Sequence, residues 1–407
     1  MQARRPSYDH RPRNIKEIPH LAGKERPVTH YLDHNASAPL LEAAREAVLA
    51  AMEIEGNPSS VHRNGRALRA MVQKARRQVA GLVGTAPDHI VFTSGATEAA
   101  ATLLTPHWSM GRSSLTMGHL YVCAADHPCL LAGGRFLPEA VTRIGVGPDG
   151  LLDLETLKGR LAAHDKAAGL PLVAVHWVNN ETGVIQPVEE ISAVVRGAGG
   201  ILVLDAVQAL GRIPVDLSTG LADFLMLSSH KIGGPKGMGA IAGASDLMMP
   251  LPLIAGGGQE RGHRSGTESP ALIAGFGAAA DAAVAGLNGF SELARLRDRF
   301  ETELRRAAAD VVVHGVAAPR VANTVFFTVP GIKAETLAIG VDLAGFAVSS
   351  GSACSSGKVG KSHVLEAMGV EGDDGAIRVS FGPETRWDEL SALIGALKPL
   401  VGRMRAA

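Results

Sequence analysis

Only 3 cysteines occur in 407 residues, so no disulfide framework can staple this chain, and the odd count leaves at least one free thiol even if two paired. A reducing compartment follows, and the protein is expected to be cytoplasmic. Cys123 and Cys129 stand close together while Cys354 lies far downstream, a spacing that matches no zinc motif, and no metal site is expected. Charge of one sign is missing as well, because 40 Lys and Arg balance 40 Asp and Glu. Without a basic field the chain has no general attraction for nucleic acid or an anionic membrane surface. Long uncharged apolar runs are also lacking. The segment MQARRPSYDHRPRNIKEIPHLAGKERP has no apolar core of the signal-peptide kind, and the most apolar stretch, ALIAGFGAAADAAVAGL from Ala271, is interrupted by Asp281. That stretch reads as a helix of a globular protein, with no membrane association expected.

What is present is globular composition, 46% hydrophobic and 20% charged. At roughly 150 residues per domain the length predicts two to three domains, and two is the starting expectation. Residues 1–29 are polar, basic and proline-containing, and read as a flexible extension. From 30 to 271, short apolar runs bounded by Gly, Pro and Asn alternate with amphipathic segments, the pattern of a mostly parallel sheet with crossover helices in a large α/β domain. The runs read as buried strands are HIVFTS (89–94), LYVCAA (120–125), LVAVHWV (172–178), ILVLD (201–205), FLMLSS (224–229) and GAIAGA (239–244). Two helical patterns, strand-like VVVHG and NTVFFTV, a strand AIRVSFG and a final helix predict a smaller α+β domain over 272–407.

Ligands of open α/β sheets bind beyond the carboxyl ends of the strands, so the residues that follow each run carry the chemistry. After HIVFTS comes GATEAAATLL, a Gly turn into a helix that presents backbone N–H groups and the Thr97 hydroxyl to an anion; Ser94 and Thr97 serve equally well as plain helix caps. After LYVCAA comes His127, suited to stacking on a ring or moving a proton. After LVAVHWV comes Asn179-Asn180-Glu181-Thr182-Gly183, which reads either as a ring-contacting turn or as an ordinary Asn-rich one. Asp205 ends a buried strand, where a carboxylate is costly without a cationic partner, and Lys231 follows the next strand in SSHKIGGPKG. Singly, these are a strand cap and a loop lysine. Together, a carboxylate for a pyridinium nitrogen and an amine for a Schiff base are the two groups a pyridoxal phosphate enzyme requires.

The stretches YLDHNASAP (31–39), GNPSSVH (56–62), FTSGATE (92–98), HWVNNETGVIQP (176–187), LDAVQ (204–208), SSHKIGGPKGMG (228–239), GGGQERGHRSGTES (256–269), SSGSACSSGKV (349–359) and IRVSFG (377–382) resemble those of the group I cysteine desulfurases, the NifS/IscS-like class V aminotransferase-like enzymes of fold-type I. The resemblance runs in order from Tyr31 to the last helix. It departs from the common LDNNATTP at His34, Ser37 and Ala38, while Asn35 is retained.

The resemblance implies a fold-type I α/β architecture, with a seven-stranded-type, mostly parallel sheet in the large domain, and a homodimer. It implies that Lys231 holds pyridoxal 5'-phosphate, that Asp205 pairs with the ring nitrogen, and that His127 stacks on the ring and handles substrate protons. Asn180 and Gln208 would contact the ring. Ala96 (by backbone), Thr97, Ser228 and His230 would bind the phosphate, with Thr267 reaching it from the second subunit. Asn35, Asn180 and Arg378 would bind the substrate, a guanidinium being well shaped for a carboxylate. Cys354 lies in a Ser- and Gly-rich loop beside Lys358 and Lys361, a setting that favours a thiolate, and would take sulfur from L-cysteine as a persulfide, leaving L-alanine. The sulfur would pass to an acceptor protein, an iron–sulfur scaffold or another sulfur carrier, with no direct nucleic-acid partner. Selenocysteine lyase, another lyase or aminotransferase of the same fold, and a non-catalytic scaffold are the alternatives. Cys123, inside an apolar strand, and Cys129 are expected to serve packing.

Overall fold

The computed structural model describes residues 30–350, 361–371 and 376–406. Strand β1 (His30–Tyr31) opens the described chain and is followed by two helices, Glu42–Met52 and Arg63–Leu82. A nine-stranded sheet then forms from β2 (Ile90–Thr93), β3 (His107–Met110), β4 (Ser113–Cys123), β5 (Val141–Ile144), β6 (Leu170–His176), β7 (Ile201–Asp205), β8 (Phe224–Ser228), β9 (Gly239–Gly243) and β10 (Met248–Pro250). Strands β5, β4, β6, β7 and β8 are joined by parallel pairing, and β9 lies antiparallel between β8 and β2. The expected α/β class and mostly parallel sheet are present.

Each expected run falls on a strand, and β6 to β9 are nearly continuous apolar sequence because helices cover both faces of the sheet. The edge formed by β3, β10 and the first half of β4 was not foreseen. Its sequence, HWSMGRSSLTMGH, is half polar and turns at Gly111 with φ 60°, so it reads locally as a loop, and only cross-strand pairing makes it a hairpin.

A second sheet is built by β11 (Val312–Val313), β12 (Thr324–Thr328), β14 (Ser349–Ser350) and β15 (Ala376–Ser380), all antiparallel, with β13 (Phe346–Ala347) pairing in parallel with β1. It has its own apolar cluster, in which Phe300, Phe327, Phe381 and Leu390 pack against Leu32 from the start of the described chain. The pairing of β1 with β13 thus brings residues 32–38 to the border between the two sheets.

Helix Pro270–Gly286, with the short turn after it, is long and apolar enough to cross a membrane, yet its buried face, including Ile273, Phe276, Ala279 and Ala280, packs into the large core. The approach is close because Gly277 lacks a side chain. A Cβ on Gly277 would lie 2.7 Å from the Cα of Ala75 and 2.4 Å from Gln78 Oε1. Helix propensity alone favours alanine over glycine by about 1 kcal/mol; the backbone clash opposes this with roughly 1–3 kcal/mol. Gly277→Ala should therefore lower the thermal midpoint, and a raised midpoint would show that the helices can separate without cost.

Candidate active site

A cavity of about 460 Å³ opens where β4, β6, β7 and β8 end. Its position follows from the sheet: the strand interiors are sealed on both faces, so polar side chains gather beyond the carboxyl ends. Ala96, Thr97, His127, Asn180, Asp205, Gln208, Ser228, His230 and Lys231, all singled out from sequence, line it together.

Asp205 is the last residue of β7 and is only 7% exposed. Its Oδ1 accepts a hydrogen bond from the Val207 backbone N–H at 2.9 Å. Burial pushes its carboxyl up to about 6, with the nearby Asp126 charge adding to the effect and the Val207 bond and Lys231 opposing it. Lys231 lies in the tight turn Ser229–Lys231 that follows β8, and its Nζ donates to the carbonyl oxygens of Asn35 and, at 2.9 Å, Ala36.

At the opposite end, β2 runs through Ser94 and Gly95 into helix Ala96–Leu103, so the first backbone N–H groups of that helix face the cavity. Ser228, His230 and Lys236 surround the same end. Burial, followed by the charges of Lys231 and Lys236, brings His230 down to about 4. His127 is brought to about 4 in the same way, by burial and then by Lys231 and His363. Both rings are therefore neutral at neutral pH. His127 also caps the short helix after it, its Nδ1 accepting from the Cys129 backbone N–H at 3.2 Å, which places its proton on Nε2.

Two substrate-side residues come from outside the central sheet. Arg378, on β15, is buried; its Nη1 donates to Asn180 O at 2.8 Å, and its Nη2 reaches Asp33 Oδ1 at 2.9 Å and Ser349 Oγ at 3.0 Å. Asn35 is buried beside it, bonding Thr324 Oγ1 through Nδ2 at 2.9 Å while its carbonyl accepts from Gln208 Nε2 at 2.9 Å. A second buried guanidinium, Arg212, bonds Gln208 O and is held down to about 10 by burial and then by Arg378. Arg378 pairs with the carboxylate of Asp33, its Nε is a buried donor without an acceptor among the described residues, and Arg212 adds a second positive charge nearby. The region suits an anion.

Thr267 is not in the main cavity; it lines an adjoining one of about 130 Å³ with Ser94, Gly237 and Met238. Cys354 and Lys358 lie outside the described residues, and Lys361 is exposed. Cys123 is fully buried in the core, as expected. Cys129 packs on the apolar cluster and in addition lines the cavity, its Sγ 3.1 Å from His127 Nδ1, with burial holding its thiol above the ordinary range. Sequence reasoning did not single out His176, Lys236, Arg212 or Glu181. Lys236 is five residues beyond Lys231 in the same glycine-rich turn, which was signal enough. Glu181 sits in the quoted NNETG stretch; it is buried, accepts from the Ser362 hydroxyl at 2.5 Å, and is raised to about 7 by that burial.

The residues fit pyridoxal phosphate. One end is a cradle of helix N–H groups, hydroxyl and imidazole for a phosphate, the other a buried carboxylate for a ring nitrogen, with an amine between them. Gln208 Oε1, buried in the cavity wall with no partner among the described residues, is an acceptor left over for a ligand. The volume is within the roughly 300–1,000 Å³ of small-molecule sites.

The raised proton affinity of Asp205 has a consequence for stability. The ionised form costs the ligand-free fold roughly 3 kcal/mol above pH 6, and stability returns as the pH falls from about 6 towards 4, where the folded-state carboxyl is protonated. Asp205→Asn should raise the thermal midpoint of the ligand-free protein at pH 7.5, with the gain shrinking as pH is lowered to 4. A gain that stays constant across that range would contradict the assignment.

Comparison with known proteins agrees with this geometry. The family model described as aminotransferase class-V matches residues 30–393. A cysteine desulfurase of Cereibacter sphaeroides is 39% identical over 388 residues, covering 92% of this chain and 96% of that protein. An IscS-like cysteine desulfurase of Mycobacterium tuberculosis is 35% identical over 386 residues, covering 93% and 97%. Among solved structures, a NifS-like protein from Rickettsia africae superposes with a TM-score of 0.82 at 30% identity over 91% of this chain and 99% of that one. By motif, fold and site, the chain belongs to the class-V aminotransferase family, within its NifS/IscS-like cysteine desulfurases.

Proposed function

We propose that the cavity removes sulfur from L-cysteine with pyridoxal phosphate as cofactor, giving L-alanine and a persulfide on Cys354. The observation that carries this reading is the meeting of Asp205, Lys231, His127 and the helix at Ala96 in one cavity, in a chain whose relatives are named cysteine desulfurases.

Pyridoxal phosphate, when bound, supplies an electrophilic carbon and an electron sink for breaking the carbon–sulfur bond. Lys231 Nζ would hold the cofactor and carry the α-proton of the substrate. Asp205, fixed at the end of β7, would pair with the ring nitrogen and hold a proton there. Neutral His127 would lie against the ring and offer Nε2–H as a proton carrier. Thr97, Ser228, His230 and the Ala96 N–H hold the phosphate, with Thr267 completing that end from the partner subunit of a homodimer. Asn180 and Gln208 would contact the ring; Arg378, with Asn35 and Asn180 beside it, would orient the substrate carboxylate. The Cys354 thiolate attacks the substrate sulfur: a sulfur–sulfur bond forms, the carbon–sulfur bond breaks, and the carbon is protonated to alanine. The persulfide then passes to an acceptor protein, an iron–sulfur scaffold or sulfur carrier.

Incubation of the protein with the cofactor, L-cysteine and a thiol reductant should yield alanine and sulfide in equal amounts. Lys231→Ala should abolish both products, and Cys354→Ala should remove nearly all turnover. Full turnover by Cys354→Ala would overturn the persulfide step, and absence of turnover in the unaltered protein would overturn the whole reading. Arg378→Lys keeps the charge but loses the bidentate fork, and should raise KM for cysteine at least about tenfold.

A further inference from the structure

Beneath the cavity, three buried side chains form a hydrogen-bonded chain that the mechanism above does not use. Asp126 accepts three N–H bonds, from the Cys123 backbone at 2.7 Å, from the His176 backbone at 2.8 Å and from His176 Nδ1 at 2.6 Å. On the other side of the ring, His176 Nε2 lies 3.0 Å from Gln186 Nε2. Two backbone groups fix the orientation of the Gln186 amide: its Nε2 donates to Gly150 O at 2.8 Å, and its Oε1 accepts from Leu152 N at 2.9 Å.

Gln186 therefore presents an N–H to His176, whose Nε2 has to be the lone-pair side. The proton of the ring is thereby assigned to Nδ1, pointing at Asp126, and a second ring proton would collide with the Gln186 N–H. His176 is held neutral. Asp126 receives three donors and gives none, which is the bonding of an ionised carboxylate. Cys123, Asp126 and His176 are spaced closely enough to ligate a metal ion, but the Asp126 oxygens are already filled by these donors.

His176 on β6 is the cross-strand partner of Asp205 on β7, and both line the cavity. Asp126 and Lys231 are the charged groups acting on Asp205 from the neighbouring elements, and the Cys129 thiol faces the same pair of carboxylates. With a neutral ring between them, His176 does not cancel the Asp126 charge, which adds to that of Asp205.

We propose that Asp126 is a positioning residue for the reaction: with His176 held neutral by Gln186, it is a second carboxylate behind Asp205 that keeps the proton on the ring nitrogen of the cofactor. This rests on the pyridoxal phosphate reading of the cavity and adds to it a charge that acts through Asp205 without touching the ligand.

The test compares two ligands on the ligand-free, full-length protein by calorimetric titration: pyridoxal phosphate, and 1-deazapyridoxal phosphate, which has carbon where the ring nitrogen stands. The unaltered protein should prefer pyridoxal phosphate. Asp126→Asn and His176→Leu should each shrink that preference about tenfold, the equivalent of one pKa unit at the nitrogen. His176→Gln, which keeps an N–H for Asp126, should restore it. Binding of the deaza compound reports folding in every variant, and if Asp126→Asn does not fold, the two His176 variants make the same comparison. Equal weakening of both ligands, or an unchanged preference, would show a structural role only and overturn the proposal. An unaltered protein that binds neither compound would instead overturn the cofactor reading.

Discussion

The organising constraint is a carboxylate held at the end of a strand that is buried on both faces. A parallel sheet sandwiched between helices has no solvated face, so its interior positions are apolar and its polar residues collect beyond the strand ends. Asp205 is the extreme case. It is 7% exposed, its partners are a backbone N–H and the field of Lys231, and burial leaves it with a raised proton affinity. Such a group is a liability to the empty fold and an asset once a cationic ring nitrogen sits against it. The rest of the cavity is arranged around that one site.

The charge pattern follows from the same burial. His127 and His230 are both driven neutral by loss of water and by Lys231, so the cations of the cavity are its lysines and the nearby arginines. Neutral imidazoles can stack, cap a helix or carry a proton without competing with a phosphate for those lysines. On the substrate side, Arg378 keeps a buried Nε donor without an acceptor among the described residues, and an incoming carboxylate would supply one. The cavity thus has an anion-seeking cradle and a proton-holding carboxylate, with an anion-seeking guanidinium nearby, the three groups that a phosphorylated pyridine bearing an amino acid would engage.

Much of this was legible along the chain, because each strand end announces itself by an apolar run closing on a polar turn. Asp205 after ILVLD and Lys231 after FLMLSSH needed no knowledge of the fold to be linked. The β3–β4 hairpin was not legible, since its half-polar sequence acquires strand geometry only through pairing. Nor was the environment of Arg378, whose partners Asp33, Asn180 and Ser349 are scattered over the chain and converge only when β1 joins β13 and β15 packs beside them. The same holds for Asp126, His176 and Gln186: their hydrogen bonds span 50 and 10 residues, distances at which sequence pattern carries no signal. Cys129 showed one of its two environments, the apolar one, while its contact with His127 depended on a turn of the short helix.

The central claim is that Lys231, and not its cavity neighbour Lys236, is the amine that holds the cofactor. Reduction of the cofactor-loaded protein with borohydride, followed by proteolysis and mass spectrometry, tests this directly. The account predicts one phosphopyridoxyl label, on the peptide containing Lys231. A label confined to Lys236, or no label on either lysine, would contradict it.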